Sequence, residues 1–430
     1  MSRSTTSRSP EDDRARRTIE AIWRIESGRL VAGLARVTGD VGVAEDLAQE
    51  ALVVALEQWP AEGVPPNPAG WLMTTAKRRA IDAHRRGATF ARKVEILRSE
   101  LTHEPPVDSE ERVDALDDHV GDDLLRLVFT ACHPVLSLES RVALTLRCLA
   151  GLSTEEIARA FLVPESTAAQ RIVRAKKTLS DRGVAFELPA PDQLSERLSA
   201  VLEVVYLVFN EGYSATAGAD WTRPALCQEA MRLGRVLMGL VPDEPEVLGL
   251  VALMELQASR LPARVGAGGE AVLLPDQDRR LWDRLLIRRG LEALSRAERM
   301  GKPLGPYALQ AGIAACHARA ARPEETDWGR IAALYEVLVQ VWPSPVVELN
   351  RAVAVGFSRG PEAGLAIADR IADARQLVTY PHLHAVRGDL LARAGRHEEA
   401  AQAFSEAAGL TRNDQERALF ASRAAAETRS

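Results

Sequence analysis

The segment Leu152–Leu179 holds the side chains of this sequence whose types and spacing are best suited to bind another molecule. Ser153 or Thr154 can cap a first short helix. After a turn, Ser166 or Thr167 can cap a second one, because a hydroxyl oxygen accepts a hydrogen bond from a free N–H group of the first helical turn. Two short helices separated by a short turn predict a helix-turn-helix.

The second helix of this motif has an apolar face and a polar face. Helical spacing assigns four residues to the core: Ala168, Ile172, Ala175 and Leu179. The opposite face consists of Gln170, Val173, Arg174 and Lys177. Glutamine and arginine can form paired hydrogen bonds with base edges in the major groove, whereas Arg171 and Lys176 on the flanks suit phosphates. We therefore expect this helix to read DNA; the alternative is an ordinary basic surface helix of an α-helical bundle.

Charge is segregated along the chain, although the net charge is only −6. Residues 77–93 carry seven Lys or Arg and one acid, whereas residues 94–123 carry eleven Asp or Glu and two Arg. Basic residues return at 171–182. A negative net charge argues against a bulk polyanion binder, but two basic segments that flank an acidic one allow local contacts with nucleic acid.

Hydrophobic periodicity is helical almost everywhere, so we predict an all-α fold. The expected organisation is two small helical domains joined by an acidic linker, the second a helix-turn-helix, followed by a tetratricopeptide-repeat-like (TPR-like) helical domain. The predicted segments are a disordered tail at 1–16, a first helical domain at 17–93, the linker at 94–123, the helix-turn-helix domain at 124–183 and the TPR-like domain at 184–430.

A degenerate repeat is visible near the end of the chain. Gly395 to Ala407 has the small-large-small pattern of the second helix in a TPR hairpin, and Gly356 to Ala366 is a looser copy, 39 residues earlier instead of ~34. Short hairpins must stack to bury their apolar stripes, and stacking leaves a concave groove. We expect the lining of this groove to include Tyr307, Gln310, His317, Asn350 and Arg351.

Length and composition exclude several classes of function. With 430 residues, of which 46% are hydrophobic, the chain can build more than one buried core. No apolar run approaches a membrane span, and the N-terminus lacks the apolar core of a signal peptide, so we expect a cytoplasmic protein without a membrane. The four cysteines are too widely spaced for a disulfide framework or a zinc finger. We expect no metal, no cofactor and no enzymatic activity.

The helix-turn-helix segment resembles the domain with which bacterial RNA polymerase sigma factors of the extracytoplasmic-function class read the −35 promoter element. The matching residues are Arg141, Leu144, Leu152-Ser153, Glu156-Ile157-Ala158, Thr167 and Arg174-Ala175-Lys176. Ala44–Ala51 (AEDLAQEA) is similar to the helix of these proteins that docks on the polymerase, and Trp71–Arg86 is similar to the helix that reads and opens the −10 element. The order of these motifs, with a tether between them, makes the match specific over residues 17–183.

This resemblance implies that the chain binds core RNA polymerase, at its β′ clamp helices and β flap, and directs it to promoter DNA. It assigns polymerase binding to Asp46, Gln49 and Glu50. It assigns contact with the −10 element to Lys77, Arg78, Arg79, Asp82, Arg85 and Arg86. It assigns contact with the −35 element to Thr167, Gln170, Arg171, Val173, Arg174 and Lys177. The family usually has Asn near position 78, where this chain has an arginine that adds phosphate-binding charge.

Residues 184–430 resemble the long TPR-like extension of one subgroup of these sigma factors, which implies a regulatory role and allows a protein or peptide ligand of the repeats. In the free protein we expect the acidic linker to lie against Arg78, Arg85 or Arg174 and to suppress promiscuous DNA binding. Two alternatives stay open. One is a helix-turn-helix regulator fused to a TPR-like sensor that acts without being a polymerase subunit, and the other is a TPR adaptor without DNA binding.

Overall fold

Apolar residues that recur about every 3.6 positions, the period of the α-helix, determine the architecture of this chain. The computed structural model contains 18 α-helices and no β-strand in the residues that it describes. These residues are 10–84, 111–161, 163–213, 222–266, 270, 272–372, 377, 379–411 and 413–429. The predicted all-α fold is confirmed, and the chain divides into two compact units, residues 1–204 (unit 1) and 205–430 (unit 2).

The described residues of unit 1 form seven helices and the start of an eighth. They are α1 (Pro10–Thr38), α2 (Val41–Glu62), α3 (Pro68–His84), α4 (Glu111–Ala131), α5 (Leu138–Cys148), α6 (Thr154–Ala160), α7 (Glu165–Asp181) and α8 (Leu194–Tyr213). Helices α2, α3 and α4 pack against α1, whereas α5 and α6 pack against α7. Trp23 on α1, Leu47 on α2 and Leu72 on α3 are buried. The rings of Trp59 and Trp71 join α2 to α3 edge-to-face, with centroids 5.2 Å apart.

Helix α4 begins inside the segment predicted as an acidic linker. Its apolar positions Leu127 and Val128 are buried, and they lie just beyond the acidic stretch that suggested a linker. Asp123 is only 4% exposed. Its carboxylate pairs with Nε of Arg36 at 3.1 Å and with Nη1 of Arg126 at 2.8 Å. The last part of the predicted linker is therefore helical, and Asp123 at its end is buried.

Unit 2 consists of consecutive helical hairpins. Its helices are α9 (Pro224–Leu240), α10 (Pro245–Ala258), α11 (Arg284–Arg299), α12 (Pro306–Arg319), α13 (Trp328–Val341), α14 (Pro345–Arg359), α15 (Pro361–Ile371), α16 (Pro381–Arg393), α17 (His397–Leu410) and α18 (Asp414–Glu427). Short 3₁₀ turns lie at Leu261–Ala263, Leu274–Asp276, Arg279–Leu281 and Pro323–Glu325. Proline begins six of these α-helices, because the first helical position needs no N–H donor.

The turns of the last hairpins have a TPR-like period. Gly360 (φ 100°) joins α14 to α15, and Gly395 (φ 76°) lies between α16 and α17. Both have the positive φ that favours glycine. They are 35 residues apart, close to the ~34 of a TPR. Gly356 lies within α14, so the spacing of 39 predicted from it used the wrong glycine. Phe404 is fully buried, and a Cβ at Gly388 would lie 2.9 Å from its ring.

None of the helices in the described ranges is long and apolar enough to cross a membrane. In the same part of the chain, no group of three or more His, Cys, Asp and Glu side chains is arranged to hold a metal ion. The four cysteines are buried free thiols.

Candidate nucleic-acid interface

Helices α6 and α7 form the predicted helix-turn-helix. Ser153 caps α6, since its Oγ accepts a hydrogen bond from the N–H of Glu156 at 3.1 Å and its own N–H donates to the Glu156 carboxylate at 2.8 Å. Helix α7 begins at Glu165, directly after Pro164, and has no side-chain cap. The prediction that Ser166 or Thr167 caps α7 is therefore wrong, because both residues already lie in the first helical turn.

The two predicted faces of α7 are present. The apolar residues assigned to the core are all buried: Ala168, Ile172, Ala175 and Leu179. The opposite stripe is exposed, and it consists of Gln170, Val173, Arg174 and Lys177. The Val173 side chain is notable in this stripe because the residue is 63% exposed. Thr167 and Arg171 are half-buried at the flanks. The geometry of the stripe is as predicted, and its contact with DNA stays a prediction.

Helix α3 carries the basic residues predicted to hold the −10 element. Leu72 and Ala76 are buried, whereas Arg78 and Arg79 are exposed and Lys77 is half-buried. Position 82 falls within α3, but its side chain lies outside the described part, as do positions 85 and 86 altogether. Three of the six predicted −10 residues, Asp82, Arg85 and Arg86, are therefore not placed by the structure.

Helix α2 carries the residues predicted to bind the polymerase. Asp46 and Glu50 are exposed and Gln49 is half-buried, while Leu47 and Ala51 on the other side are buried. The polar stripe predicted for this helix is present. We call Asp46, Gln49 and Glu50 the α2 face.

The α2 face is already in contact with the helix-turn-helix domain. Lys176 of α7 donates to Asp46 at 2.7 Å and also pairs with Glu45. Arg147 of α5 donates to the second carboxylate oxygen of Glu45 at 2.7 Å. The Glu45 side chain is 3% exposed, so it lies buried between two cations. Lys176, which was predicted to contact phosphates, instead binds two carboxylates of α2.

The aliphatic part of the Lys176 side chain also packs against α2. A Cβ placed on Gly42, at the start of α2, would lie 3.2 Å from the Cβ of Lys176. Glycine thus allows α7 to approach the first turn of α2. Burial alone would lower the pKa of Lys176, but Glu45 and Asp46 outweigh it and raise that pKa, so the ammonium group is charged at neutral pH.

A second set of contacts joins α1 to α6 and to the turn that precedes it. The indole N–H of Trp23 donates to the carbonyl of Gly151 at 3.1 Å, and Arg24 pairs with Glu156 at 2.6 Å. Gly151 has a φ of +66°, and a Cβ there would lie 2.6 Å from Oγ of Ser27. Only glycine fits this turn against α1, and the helix-turn-helix domain is therefore fixed on both α1 and α2.

A cleft of about 390 Å³ lies beside these contacts. Gln49 of the α2 face lines it, together with Arg147 and with Glu155 and Arg159 of α6. Gln49 is thus the second residue of the α2 face, after Asp46, that lies next to the helix-turn-helix domain.

Comparison with known proteins assigns both domains of unit 1. The family model of sigma-70 region 2 matches residues 25–89, and that of sigma-70 region 4 matches residues 126–179. The chain is 33% identical over 154 residues to the ECF RNA polymerase sigma factor SigL of Mycobacterium tuberculosis, an alignment that covers 35% of this chain and 81% of SigL. This chain belongs to the ECF RNA polymerase sigma factors.

Two further relatives extend the similarity beyond unit 1. The probable ECF RNA polymerase sigma factor SigI of Mycobacterium tuberculosis is 28% identical over 250 residues, which is 54% of this chain and 84% of SigI. An uncharacterized protein of Rhizobium meliloti is 46% identical over 391 residues and 91% of each chain. A family of unknown function (DUF6596) matches residues 197–298, most of α8 to α11.

The sequence reasoning missed the most buried charged residue of this sigma factor's α2, Glu45. A signal for it exists. Val41 and Ala48, at positions i−4 and i+3, are both apolar, so the carboxylate between them must lie on the buried side of the helix. A buried carboxylate requires a cation, and the sequence does not say which. Its partners Arg147 and Lys176 are 102 and 131 positions away.

Proposed function

We propose that this sigma factor binds core RNA polymerase in the cytoplasm and directs it to specific promoters, with its activity regulated through the C-terminal helical domain. The observation that carries the proposal is the exposed stripe Gln170, Val173, Arg174 and Lys177 on α7, in the same unit as the basic surface of α3. A helix-turn-helix regulator alone would not need the second basic helix or the α2 face.

In this proposal α7 enters the major groove of the −35 element. Gln170 and Arg174 can each form two hydrogen bonds with one base edge. The exposed Val173 between them suits the methyl group of thymine. Thr167, Arg171 and Lys177 are placed to contact phosphates, which position the helix without specifying sequence.

Helix α3 holds the −10 element mainly through its charge. Arg78 and Arg79 are exposed next to Lys77, and the helix continues toward Asp82. Together with Arg85 and Arg86, these residues form the basic surface proposed to hold the DNA strand. Cations at this density favour phosphate contacts, whose strength falls with salt concentration.

Polymerase docking requires the α2 face to be free. An acidic and polar stripe suits a basic partner surface, here the β′ clamp helices, while the β flap is the proposed partner of the helix-turn-helix domain. Asp46 pairs with Lys176 in the present arrangement, and Gln49 faces the cleft beside α6. The contact between α2 and α7 must therefore open before the polymerase binds.

The spacing of the promoter elements also requires opening. The −35 and −10 elements are about 25 base pairs apart, or roughly 85 Å at 3.4 Å per base pair. A compact unit of about 200 residues is only about 45 Å across, because its radius of gyration is near 17 Å. The closed unit 1 cannot span both elements at once. We infer that free sigma factor is autoinhibited by the Glu45 and Asp46 contacts with α5 and α7.

The role expected of the acidic linker, to lie against Arg78, Arg85 or Arg174, stays a prediction. Asp123, the buried acid at the linker's predicted end, pairs with Arg36 and Arg126. Residues 94–110 lie outside the described part of the chain, as does Arg85. The inhibitory contacts that the described residues support run through Lys176 and Arg147.

Reconstitution with purified core RNA polymerase tests the proposal. We expect a 1:1 complex on gel filtration and transcripts from defined promoters, both absent when the sigma factor is omitted. The alternative of a separate helix-turn-helix regulator predicts specific DNA binding by the free chain and no stoichiometric complex. That result would contradict the proposed function.

Regulation by unit 2 is tested by truncation, and the structure places the cut. Arg197 of α8 donates to the carbonyl of Phe129, and Arg141 pairs with Glu203. The first part of α8 therefore belongs to unit 1, and a cut after Val204 preserves these contacts, whereas one after Gly183 removes them. We expect the chain truncated after Val204 to bind polymerase with altered transcriptional output. Unchanged output in cells under every condition tried would contradict a regulatory role.

A further inference from the structure

Unit 2 contains a cavity of about 490 Å³ that no part of the proposed promoter recognition uses. Alternate helices of the last hairpins, α14, α16 and α18, contribute Val353, Val386 and Leu419 to its wall. The segment between α10 and α11 contributes Leu273 and Leu274. A mainly apolar cavity of several hundred Å³ with a few polar groups is typical of a small-molecule site. Of the residues expected to line the groove, only His317 does so: Tyr307 packs on Tyr206, and Arg351 pairs with Glu348.

One wall of the cavity is aromatic. The rings of Trp328 and Phe357 are stacked, with centroids 4.1 Å apart and planes inclined by 17°. Tyr213 and Phe420 add further ring surface. The guanidinium of Arg393 lies 3.7 Å from the centroid of the Phe357 ring, so this ring is held between Trp328 and Arg393. The edges of these rings favour an aromatic ligand, because edge-to-face pairs gain energy beyond that of buried area.

One end of the cavity is cationic. The guanidinium of Arg264 lies 3.9 Å above the ring of Tyr213. Arg279 donates from Nη1 to the carbonyls of His317 and Ala320, at 2.6 Å each. Arg260, behind this end, donates to the hydroxyl of Tyr213 at 2.6 Å. Burial lowers the pKa of Arg264 and of Arg279, and the nearby charge of Arg260 lowers both further. An anion at this end would offset the crowding of positive charge.

His317 at the same end has a buried ring nitrogen that lacks a partner. Its Nδ1 atom makes no hydrogen bond, although buried polar groups in proteins are nearly always paired. Burial, together with the charges of Arg260 and Arg279, lowers the pKa of His317 to about 4, so the ring is neutral at pH 7. An imidazole nitrogen of this kind can donate a hydrogen bond to a ligand oxygen.

The acids that line the cavity are already occupied. Asp389 pairs with Arg423 at 2.8 Å. Glu416 accepts a hydrogen bond from the hydroxyl of Thr411 at 2.6 Å and lies 3.5 Å from His382. Both carboxylates of the lining therefore already have partners within unit 2.

We propose that this cavity binds a small aromatic carboxylic acid. The carboxylate lies against Arg264, Arg279 and His317, and the ring system lies against Trp328 and Phe357. A single carboxylate suits a lining that is mainly apolar, and two arginine side chains can hold it with charge-assisted hydrogen bonds. The inference deepens the proposed regulatory role of unit 2, and its link to transcription rests on that proposed function. Binding itself is measured on the full chain alone.

Isothermal titration calorimetry with a matched pair of probes tests the proposal. The probes are 1-naphthoate and its neutral isostere 1-naphthamide, compared on the full chain. We expect 1-naphthoate to bind with 1:1 stoichiometry and about tenfold or more tighter than the amide, since a hydrogen bond to a charged group is worth more than a neutral one.

Three variants locate the site. Arg264→Gln should remove the preference for the carboxylate while 1-naphthamide still binds. Val353→Trp fills the cavity and should abolish binding of both probes. Arg296→Gln, on the exposed surface of α11, is the control and should change neither affinity. Circular dichroism shows whether each variant is folded. If Val353→Trp is unfolded, Arg264→Gln alone tests whether the probe binds in this cavity.

Several results would overturn the proposal. Equal affinity for naphthoate and naphthamide would exclude the cationic end as the anchor. Unchanged binding by folded Val353→Trp would place the probe elsewhere. No binding of benzoate, 1-naphthoate or indole-3-acetate at millimolar concentration, or binding only of an acidic peptide, would also reject a small-molecule site. Since no polymerase is present in these titrations, a failure of the sigma-factor assignment would leave their outcome unchanged.

Discussion

The two units of this sigma factor use charge in different ways. In unit 1, Arg147 and Lys176 reach carboxylates of α2 that are more than 100 positions away. In unit 2 the pairs between helices join positions closer in sequence, 34 apart for Arg423 with Asp389 and 20 apart for Arg235 with Glu255, and the hairpins are held by continuous apolar cores. A charged contact can be exchanged for water or a charged partner, whereas an apolar core cannot. Unit 1 is therefore suited to opening and unit 2 to keeping its shape.

The largest effect is expected from charge reversal on the α2 face. The double variant Asp46→Lys and Glu50→Lys places like charges where a basic partner must dock, and it should weaken binding to core polymerase by about 100-fold or more. A pull-down with circular dichroism measures binding and fold together. Glu62→Lys, an exposed acid at the end of α2, is the matched control. Full retention of polymerase by the double variant would reject the docking assignment.

Removal of Glu45 should have the largest effect on the stability of unit 1. Glu45→Ala leaves Arg147 and Lys176 mostly buried without their shared carboxylate, which costs about 3–5 kcal/mol of unfolding free energy. Chemical denaturation, with hydrogen exchange of α2 and α7, measures this loss. Glu50→Ala on the exposed face should cost less than about 0.5 kcal/mol. If the two variants were equally stable, the contact would contribute nothing to the closed unit.

The buried histidine of unit 2 should make its stability depend on pH. The pKa of His317 is lowered to about 4 by burial and by Arg260 and Arg279, against about 6.5 for a free histidine. The unfolded chain therefore binds this proton at a higher pH than the folded chain. The contribution of His317 to the free energy of unfolding is fully present above about pH 6.5. It is lost as the pH falls toward about 4, a loss on the order of 3 kcal/mol. Denaturation at pH 7 and pH 4.5 should show a smaller loss for His317→Gln than for the unchanged chain; equal losses would contradict the assignment.

Smaller and sequence-dependent effects are expected on α7. Gln170→Ala or Arg174→Ala should weaken −35 recognition by ~1–3 kcal/mol for each lost base contact, whereas Arg171→Ala should weaken binding to all sequences alike. Footprinting of the holoenzyme on a mapped promoter and on random DNA separates the two patterns. Equal losses on both DNAs for all three variants would show that the exposed stripe does not read bases.

The smallest effect is expected for a local pair of unit 2. Arg396 and Glu399 are three positions apart and largely exposed, so solvent screens their attraction. Glu399→Gln should leave the melting temperature of the chain within experimental error. A clear drop would mean that local pairs matter in unit 2 as much as the long-range pairs do in unit 1, and the contrast between the units would be lost.

The sequence predicts the faces of single helices well. The exposed stripe of α7 and the polar stripe of α2 follow from a period of 3.6 residues, which needs only local information. The helix-turn-helix and its cap at Ser153 are local in the same way. The DNA and polymerase contacts of these faces remain predictions, since they depend on partners outside the chain.

Contacts between distant segments could not be predicted. The packing of Lys176 on Gly42 and the fit of Gly151 against α1 depend on how two domains meet, which helical periodicity does not encode. Composition does not show where α4 begins, because the acidic residues between Glu111 and Leu127 belong to this helix. The cavity of unit 2 was missed for the same reason, since the residues that line it come from at least six separate elements.

The closed contact between α2 and α7 can be measured directly. Spin labels at Val53→Cys on α2 and Ser180→Cys on α7 occupy exposed positions, and the four native cysteines are buried. Double electron–electron resonance should give one short distance in the free protein and a much longer one after addition of core RNA polymerase. An unchanged short distance with polymerase present would contradict the account that this sigma factor opens to bind the enzyme.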